Sequence, residues 1–165
     1  MFKVVEHLRP YALVLVGLPG TGKSTFVSQL PPHFVVLSTD NVMERLAKEL
    51  EVSYNEAFNL VGWEAAEHQY YEEFAAATAA GKDIVIDQTN VSVKVRRRKL
   101  SRIPAHYHKV AVIFTLPEDV LAERLTVREA KTGKKIPPHI MADMIERWED
   151  PTKAEGFDNI VIFEG

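Results

Sequence analysis

The segment Gly17-Leu-Pro-Gly20-Thr21-Gly22-Lys23-Ser24-Thr25 constrains this chain more than any other. It fits G-x-x-x-x-G-K-[ST] at every fixed position, and that pattern belongs to a strand that enters a tight turn and leaves it as a helix. The flanks agree. Tyr11-Ala-Leu-Val-Leu-Val16 is a continuous apolar run of strand length, and Phe26-Val-Ser-Gln-Leu30 continues as a helix that Pro31-Pro32 stops. The turn aims consecutive N–H groups inward, and the helix start adds the positive end of its dipole, so the segment is built for phosphate. Lys23 is expected to reach the β- and γ-phosphates of ATP, and the Ser24 hydroxyl to ligate Mg²⁺. Gly17, Gly20, Thr21, Gly22, Lys23, Ser24 and Thr25 form the expected ATP-binding set.

Composition narrows what surrounds such a loop. A chain of 165 residues suits one domain with a substantial core, expected to span 1–165. The formal charge of −3 gives no global field to hold nucleic acid, so any such binding must come from a local basic patch. The absence of cysteine excludes disulfides and thiolate metal sites and fits a cytoplasmic setting. The N-terminal segment Met1 to Pro10 is too charged for a signal peptide, and no apolar run reaches membrane-spanning length, so no membrane partner is expected. The six histidines are scattered, without a metal-ligand spacing.

Strands are expected near 11–17, 34–38, 83–87, 109–116 and 159–163. Phe34-Val-Val-Leu37, Ile84-Val-Ile86, Val110-Ala-Val-Ile-Phe114 and Ile160-Val-Ile-Phe163 are apolar throughout rather than alternating, as in strands buried on both faces of a parallel sheet. Helices are expected near 23–30, 40–50, 54–80, 92–102, 118–130 and 138–148, the third ending at Gly81. The aromatic residues Trp63, Tyr70, Tyr71 and Phe74 on it read chiefly as packing residues. Right-handed crossovers then give an α/β, three-layer sandwich whose ligand crevice lies beyond the carboxyl ends of the strands.

Polar residues that follow a strand face that crevice. After the second strand, Asp40 is placed to accept a proton from an attacking hydroxyl, or else to cap the next helix, a role open to Thr39 as well. After the third, Asp87 stands where P-loop proteins carry an aspartate that steers Mg²⁺ or its waters, while Thr89 and Asn90 are candidates to bind substrate or cap the next helix. Lys94 to Arg102 is the densest positive charge in the chain. It is either a phosphate-binding face, with Arg97 a candidate contact, or a solvated helix face. Arg124 and Arg128 lie four apart on one helix face, and Lys131-Thr-Gly-Lys-Lys-Ile-Pro137 follows as a basic loop. Residues 124–137 thus read as a lid that closes over triphosphate, or as an exposed helix end.

Taken together, Gly17 to Thr25, Thr39-Asp40, Asp87-Gln-Thr-Asn90 and Arg124-Leu-Thr-Val-Arg128 resemble, in order and separation, the kinase domain of the polynucleotide 5′-hydroxyl kinase family. The resemblance implies a P-loop kinase fold with a five-stranded parallel sheet in the order 2-3-1-4-5, and transfer of the ATP γ-phosphate to the 5′-hydroxyl of DNA or RNA. It implies that Lys23 and Ser24 hold triphosphate and Mg²⁺, that Asp40 is the general base, that Asp87 organises the acceptor side, and that Arg128 with Arg124 stabilises the transferring phosphoryl group. One position departs. Phage-type members carry an arginine three residues after the general base, where it grips the acceptor phosphate; here that position is Met43. Arg45 and Arg96 to Arg98 are the candidate replacements. No Asp-x-Asp-x-Thr phosphatase element is present.

Asp87 to Ser92, Arg97-Arg-Lys99 and Gly133-Lys-Lys-Ile-Pro137 also look like the P-loop domain of the heterogeneous nuclear ribonucleoprotein U family. That likeness implies an ATP- or RNA-binding module without transfer. A kinase of a small alcohol, such as a nucleoside, sugar or antibiotic, is the third reading.

Overall fold

The apolar runs pair into one sheet. β1 (Tyr11–Val16), β2 (Val35–Leu37), β3 (Ile84–Ile86), β4 (His108–Thr115) and β5 (Asn159–Glu164) lie in the order β2-β3-β1-β4-β5, every pairing parallel. This is a computed structural model that describes residues 9–164. The charged segment before Arg9, with His7, lies outside the described residues. In register, Leu13 stands between Val85 and Val110, and Val14 between Ile86 and Ala111. Six helices connect the strands: α1 (Lys23–Gln29), α2 (Thr39–Glu49), α3 (Tyr54–Ala79), α4 (Val93–Leu100), α5 (Glu118–Thr132) and α6 (Pro138–Glu146). A parallel sheet with its helical crossovers and the phosphate loop after β1 is the P-loop kinase-like α/β fold. Among the described residues no helix is long and apolar enough to cross a membrane.

The continuous apolar runs exist because both faces of the sheet are covered. Ala12, Val14 and Val16 point to one side, where they join Met43, Tyr70, Phe74 and Leu100 from the helices. Leu15 points to the other, among Val85, Val112 and Phe114, against which Phe26 and Val27 of α1 pack. Each of the valine, leucine, methionine and phenylalanine side chains among them contributes about 1.5–3 kcal/mol when fully buried.

The structure corrects three expectations. The long helix expected over 54–80 is broken: Gly62 sits at φ 74, ψ 161, a conformation essentially restricted to glycine, so α3 is two helical pieces set across a bend. The last strand is not buried on both faces. Val161, Ile162 and Phe163 of β5 are exposed, because β5 is an edge strand and the neighbouring segments α5 and α6 fully bury only Leu121 between them. Finally, Arg96 belongs neither to a solvated face nor to a phosphate grip. Its side chain is fully buried, and its Nε donates to Glu155 Oε1 at 2.8 Å, Nη2 to Glu155 Oε2 at 3.2 Å and Nη1 to the Asn90 carbonyl at 2.9 Å.

A buried pair of this kind is costly to break from one side, since the remaining charge keeps its desolvation cost without its partner. Glu155→Ala is expected to destabilise the fold by about 3–5 kcal/mol in urea unfolding. A loss under about 1 kcal/mol would show that water reaches Arg96 after all.

Candidate functional site

The carboxyl ends of β1, β2 and β3 open into a cleft of about 1320 Å³. The phosphate loop forms one wall. Gly22 stands at φ 103 as the N-cap of α1 and no side chain caps this helix, so the first-turn N–H groups stay available to an anion. Gly20, Gly22, Lys23, Ser24 and Thr25 line the cleft, whereas Gly17 and Thr21 do not. They hold the loop from behind: the buried Thr21 hydroxyl donates to Leu18 O at 2.7 Å, and the Gly17 N–H donates to Thr89 O at 3.0 Å.

Lys23 is buried, and its ammonium donates to the carbonyls of Gly17 at 2.9 Å and Leu18 at 2.8 Å. Burial pushes its pKa down to about 8; the Asp87 carboxylate opposes the shift, and the Arg128 cation adds to it. Asp87, at the end of β3, is pushed up by its own burial, with Lys23 opposing and Asp40 adding. These couplings place Lys23, Asp40, Asp87 and Arg128 in one electrostatic neighbourhood. Ser24 and Asp87 supply the hard oxygen donors that Mg²⁺ prefers, both on the cleft wall, so the residues present fit a Mg²⁺–triphosphate.

Asp40 is not needed as a cap. Ser38 is the N-cap of α2, its hydroxyl accepting from Asn41 N at 3.3 Å, and Thr39 instead accepts a hydrogen bond from Gln88 Nε2. Asp40 is exposed on the cleft wall, where its Oδ1 accepts from the Tyr54 hydroxyl at 2.8 Å. Ser92 likewise caps α4, so Thr89 and Asn90 do not. Both line the cleft, but Asn90 is almost wholly buried. In the left-handed region at φ 49, it donates from Nδ2 to Leu15 O at 2.7 Å, and accepts from Lys99 at Oδ1 and from Arg96 at its carbonyl.

Of the basic run, Arg98 and Lys99 line the cleft, while Arg97 is exposed outside it. Lys99 is buried and makes no ion pair among the described residues. Burial pushes its pKa down to about 7, with Arg98 adding and Glu67 opposing. The position that carries an arginine in phage-type polynucleotide kinases is closed here: Met43 is fully buried in the core, and Arg45 pairs with Glu73 away from the cleft. Arg124 and Arg128 face the cleft from α5, which ends at Gly133. The basic loop continues across the opening, where Lys134 pairs with Glu44 of α2 at 2.6 Å.

Three contributors had little or no signal in the sequence. Tyr54 reaches Asp40 only through the tertiary fold, although Ser53 and Glu56 form a readable capping box that sets it at the first position of α3. Lys99 looked like one more cation in a charged run. Trp63, read as a packing residue, is exposed on the cleft wall just past the Gly62 bend.

The lowered Lys23 pKa has two consequences for pH. Between about 8 and the ordinary 10.5, the unfolded chain holds a proton that the native lysine has released, so stability rises with pH across that window. A bound triphosphate favours the charged ammonium, so ATP binding above pH 8 should take up a proton and weaken as pH rises. Calorimetric titration in buffers of differing ionisation enthalpy, at about pH 8.5, should show uptake of about three quarters of a proton, lost in Lys23→Met. Uptake unchanged in that variant would remove Lys23 from the triphosphate site.

A family profile described as an AAA domain matches residues 13–151. The chain is 26% identical over 171 residues to human heterogeneous nuclear ribonucleoprotein U-like protein 2, covering 98% of this chain but only 22% of that protein, so it spans about a fifth of the relative's length. Among solved structures, a chain of the Pnkp1/Rnl/Hen1 RNA repair complex superposes with a TM-score of 0.66 at 23% identity, over 89% of this chain and 46% of that one. A gluconokinase from Sinorhizobium meliloti superposes with a TM-score of 0.52 at 19% identity, over 94% and 82%. At these identities the structural likenesses carry the fold, and the profile carries the family: the chain belongs to the AAA-domain family that its residues 13–151 match.

Proposed function

We propose that this domain is a Mg²⁺–ATP-dependent phosphotransferase that moves the γ-phosphoryl group of ATP onto the 5′-hydroxyl end of DNA or RNA. The observation that carries the reading is Asp40: an exposed carboxylate, relieved of capping by Ser38, on the wall of the cleft that holds Lys23, Ser24, Arg124 and Arg128. In a nucleotide-binding module without transfer that carboxylate would serve only the start of α2 and the Tyr54 hydroxyl.

Transfer asks little covalent chemistry of the protein beyond positioning and charge. Asp40 accepts the proton of the acceptor hydroxyl as its oxygen bonds to the γ-phosphorus, and the bond to the bridging oxygen breaks to release ADP. Lys23 and the loop N–H groups hold the phosphates. Ser24 and Asp87 would hold Mg²⁺, which when bound neutralises charge on the phosphates. Arg124 and Arg128 stabilise negative charge on the moving group, and the basic loop from Gly133 to Pro137 excludes water.

Three features support a nucleic-acid acceptor. Arg98, exposed on the cleft wall, brings positive charge beyond the phosphate loop, where position 43 carries methionine instead of arginine. Trp63 presents an exposed ring in the same cleft, suited to stacking a base. The similar chain in an RNA repair complex is consistent with such an acceptor. A small alcohol is the second reading, favoured by the likeness to a gluconokinase and by the Lys134–Glu44 pair, which narrows the opening.

A labelled-ATP screen over 5′-hydroxyl DNA, 5′-hydroxyl RNA, nucleosides and gluconate separates these readings. Label is expected on the oligonucleotides, with affinity for them falling as salt rises. Asp40→Asn is expected to lower transfer about 100-fold or more while ATP affinity stays within about threefold. Transfer to nucleosides or gluconate alone selects the small-alcohol reading; ATP binding with no transfer to any acceptor selects a binding module.

A further inference from the structure

The Asp40 carboxylate is held by one residue, and that residue also meets the lid. Tyr54 is the first residue of α3, fixed by the Ser53–Glu56 capping box, in which Glu56 N donates to Ser53 Oγ at 3.2 Å and Ser53 N to Glu56 Oε2 at 2.8 Å. The turn before it folds the chain back along α2, with Val52 N donating to Ala47 O at 3.0 Å. The Tyr54 ring thereby lies beside α2, and its hydroxyl donates to Asp40 Oδ1 at 2.8 Å. That bond occupies one carboxylate oxygen, while Oδ2 keeps no hydrogen bond among the described residues.

Lys134 arrives from the other side of the cleft. Its ammonium lies 5.1 Å from the centroid of the Tyr54 ring and 2.6 Å from Glu44 Oε1. Glu44 follows Asp40 by one helical turn, so the two acids share a face of α2. The lid therefore docks on the ring whose hydroxyl fixes Asp40.

Other features of the molecule carry less. Nothing in the structure shows what covers the exposed apolar stretch of β5. The buried Lys99 is already explained by its bond to Asn90.

We propose that Tyr54 is the positioning residue for Asp40, holding Oδ1 so that Oδ2 meets the acceptor hydroxyl, and that Lys134 docking on the same ring and on Glu44 links lid closure to the orientation of the base. This rests on the reading of Asp40 as general base. The ring and the hydroxyl have separable duties: the hydroxyl orients the carboxylate, and the ring with Glu44 receives the lid.

Two substitutions separate those duties. Tyr54→Phe keeps the ring and removes the hydroxyl. With a 5′-hydroxyl oligonucleotide it should lower kcat about 10- to 100-fold, leave KM for ATP within about twofold, and leave lid exchange unchanged. Tyr54→Leu removes both, and should in addition raise amide hydrogen exchange across residues 131–137 at least about threefold in the ATP-bound protein, a readout that needs no turnover. Lys134→Ala should raise the same exchange in the Tyr54→Phe background, and by a smaller factor in Tyr54→Leu, where only the Glu44 contact is left to lose. Asp40→Asn, assayed alongside, keeps the two levels apart. If Asp40→Asn is inactive and Tyr54→Phe turns over at the wild-type rate, the positioning role is overturned and the general-base reading stands. If Asp40→Asn turns over normally, both fall. Lid exchange unchanged in Tyr54→Leu overturns the link to the lid.

Discussion

The site depends on how the segment after β3 is fastened to the end of β1. Gly17 N–H donates to Thr89 O, and the side-chain amide of the next residue, Asn90, donates to Leu15 O. These bonds continue the sheet's pairing past its last ladder residue and bring Asp87 to the phosphate loop. Asn90 takes a left-handed conformation that asparagine tolerates better than most residues, and its remaining acceptors are filled by Arg96 and Lys99 of α4. The charged stretch that looked like an external phosphate grip is therefore partly an internal strut. Arg96, anchored on Glu155, and Lys99 hold Asn90, and Asn90 holds the loop.

That arrangement explains the charges in the cleft. Lys23 and Asp87 each pay for burial in opposite directions, the lysine losing some hold on its proton and the aspartate gaining some. Each also favours the charged form of the other. A polyanion entering beside Lys23 and Arg128 is offered N–H groups and cations that protein carboxylates do not fully neutralise. The lysine meanwhile rests on the Gly17 and Leu18 carbonyls, so the loop carries its own temporary acceptors.

Local features were the legible ones. The glycine spacing after Tyr11–Val16 announced the phosphate loop, and the uninterrupted apolar runs announced a parallel sheet covered on both sides; β1, β3 and β4 match that description, while β2, at the other edge, is only partly buried. The polar residues at strand ends were also readable, because in a parallel sheet those positions face a crevice. The strand rule misled at β5, where the same Ile-Val-Ile-Phe pattern lies on an uncovered edge: composition does not record whether a helix arrives. The bend at Gly62 was hidden in a run rich in helix formers, since a single glycine is compatible with either outcome. Contacts made across the fold carried almost no local trace. The Tyr54–Asp40 bond, the Lys134–Glu44 pair and the Arg96–Glu155 pair join residues whose separation along the chain is set by topology, and each redefines the duty of a side chain that spacing alone had left with two readings.

In the proposed function, one cleft brings a triphosphate on the loop and an acceptor hydroxyl on Asp40 face to face. A crystal structure with Mg²⁺, a non-hydrolysable ATP analogue and a 5′-hydroxyl oligonucleotide measures it directly. The 5′ oxygen should lie within about 2.6–3.2 Å of an Asp40 oxygen and in line with the γ-phosphorus. A triphosphate on the loop with the oligonucleotide end lying outside the cleft, and Asp40 touching neither, would contradict it.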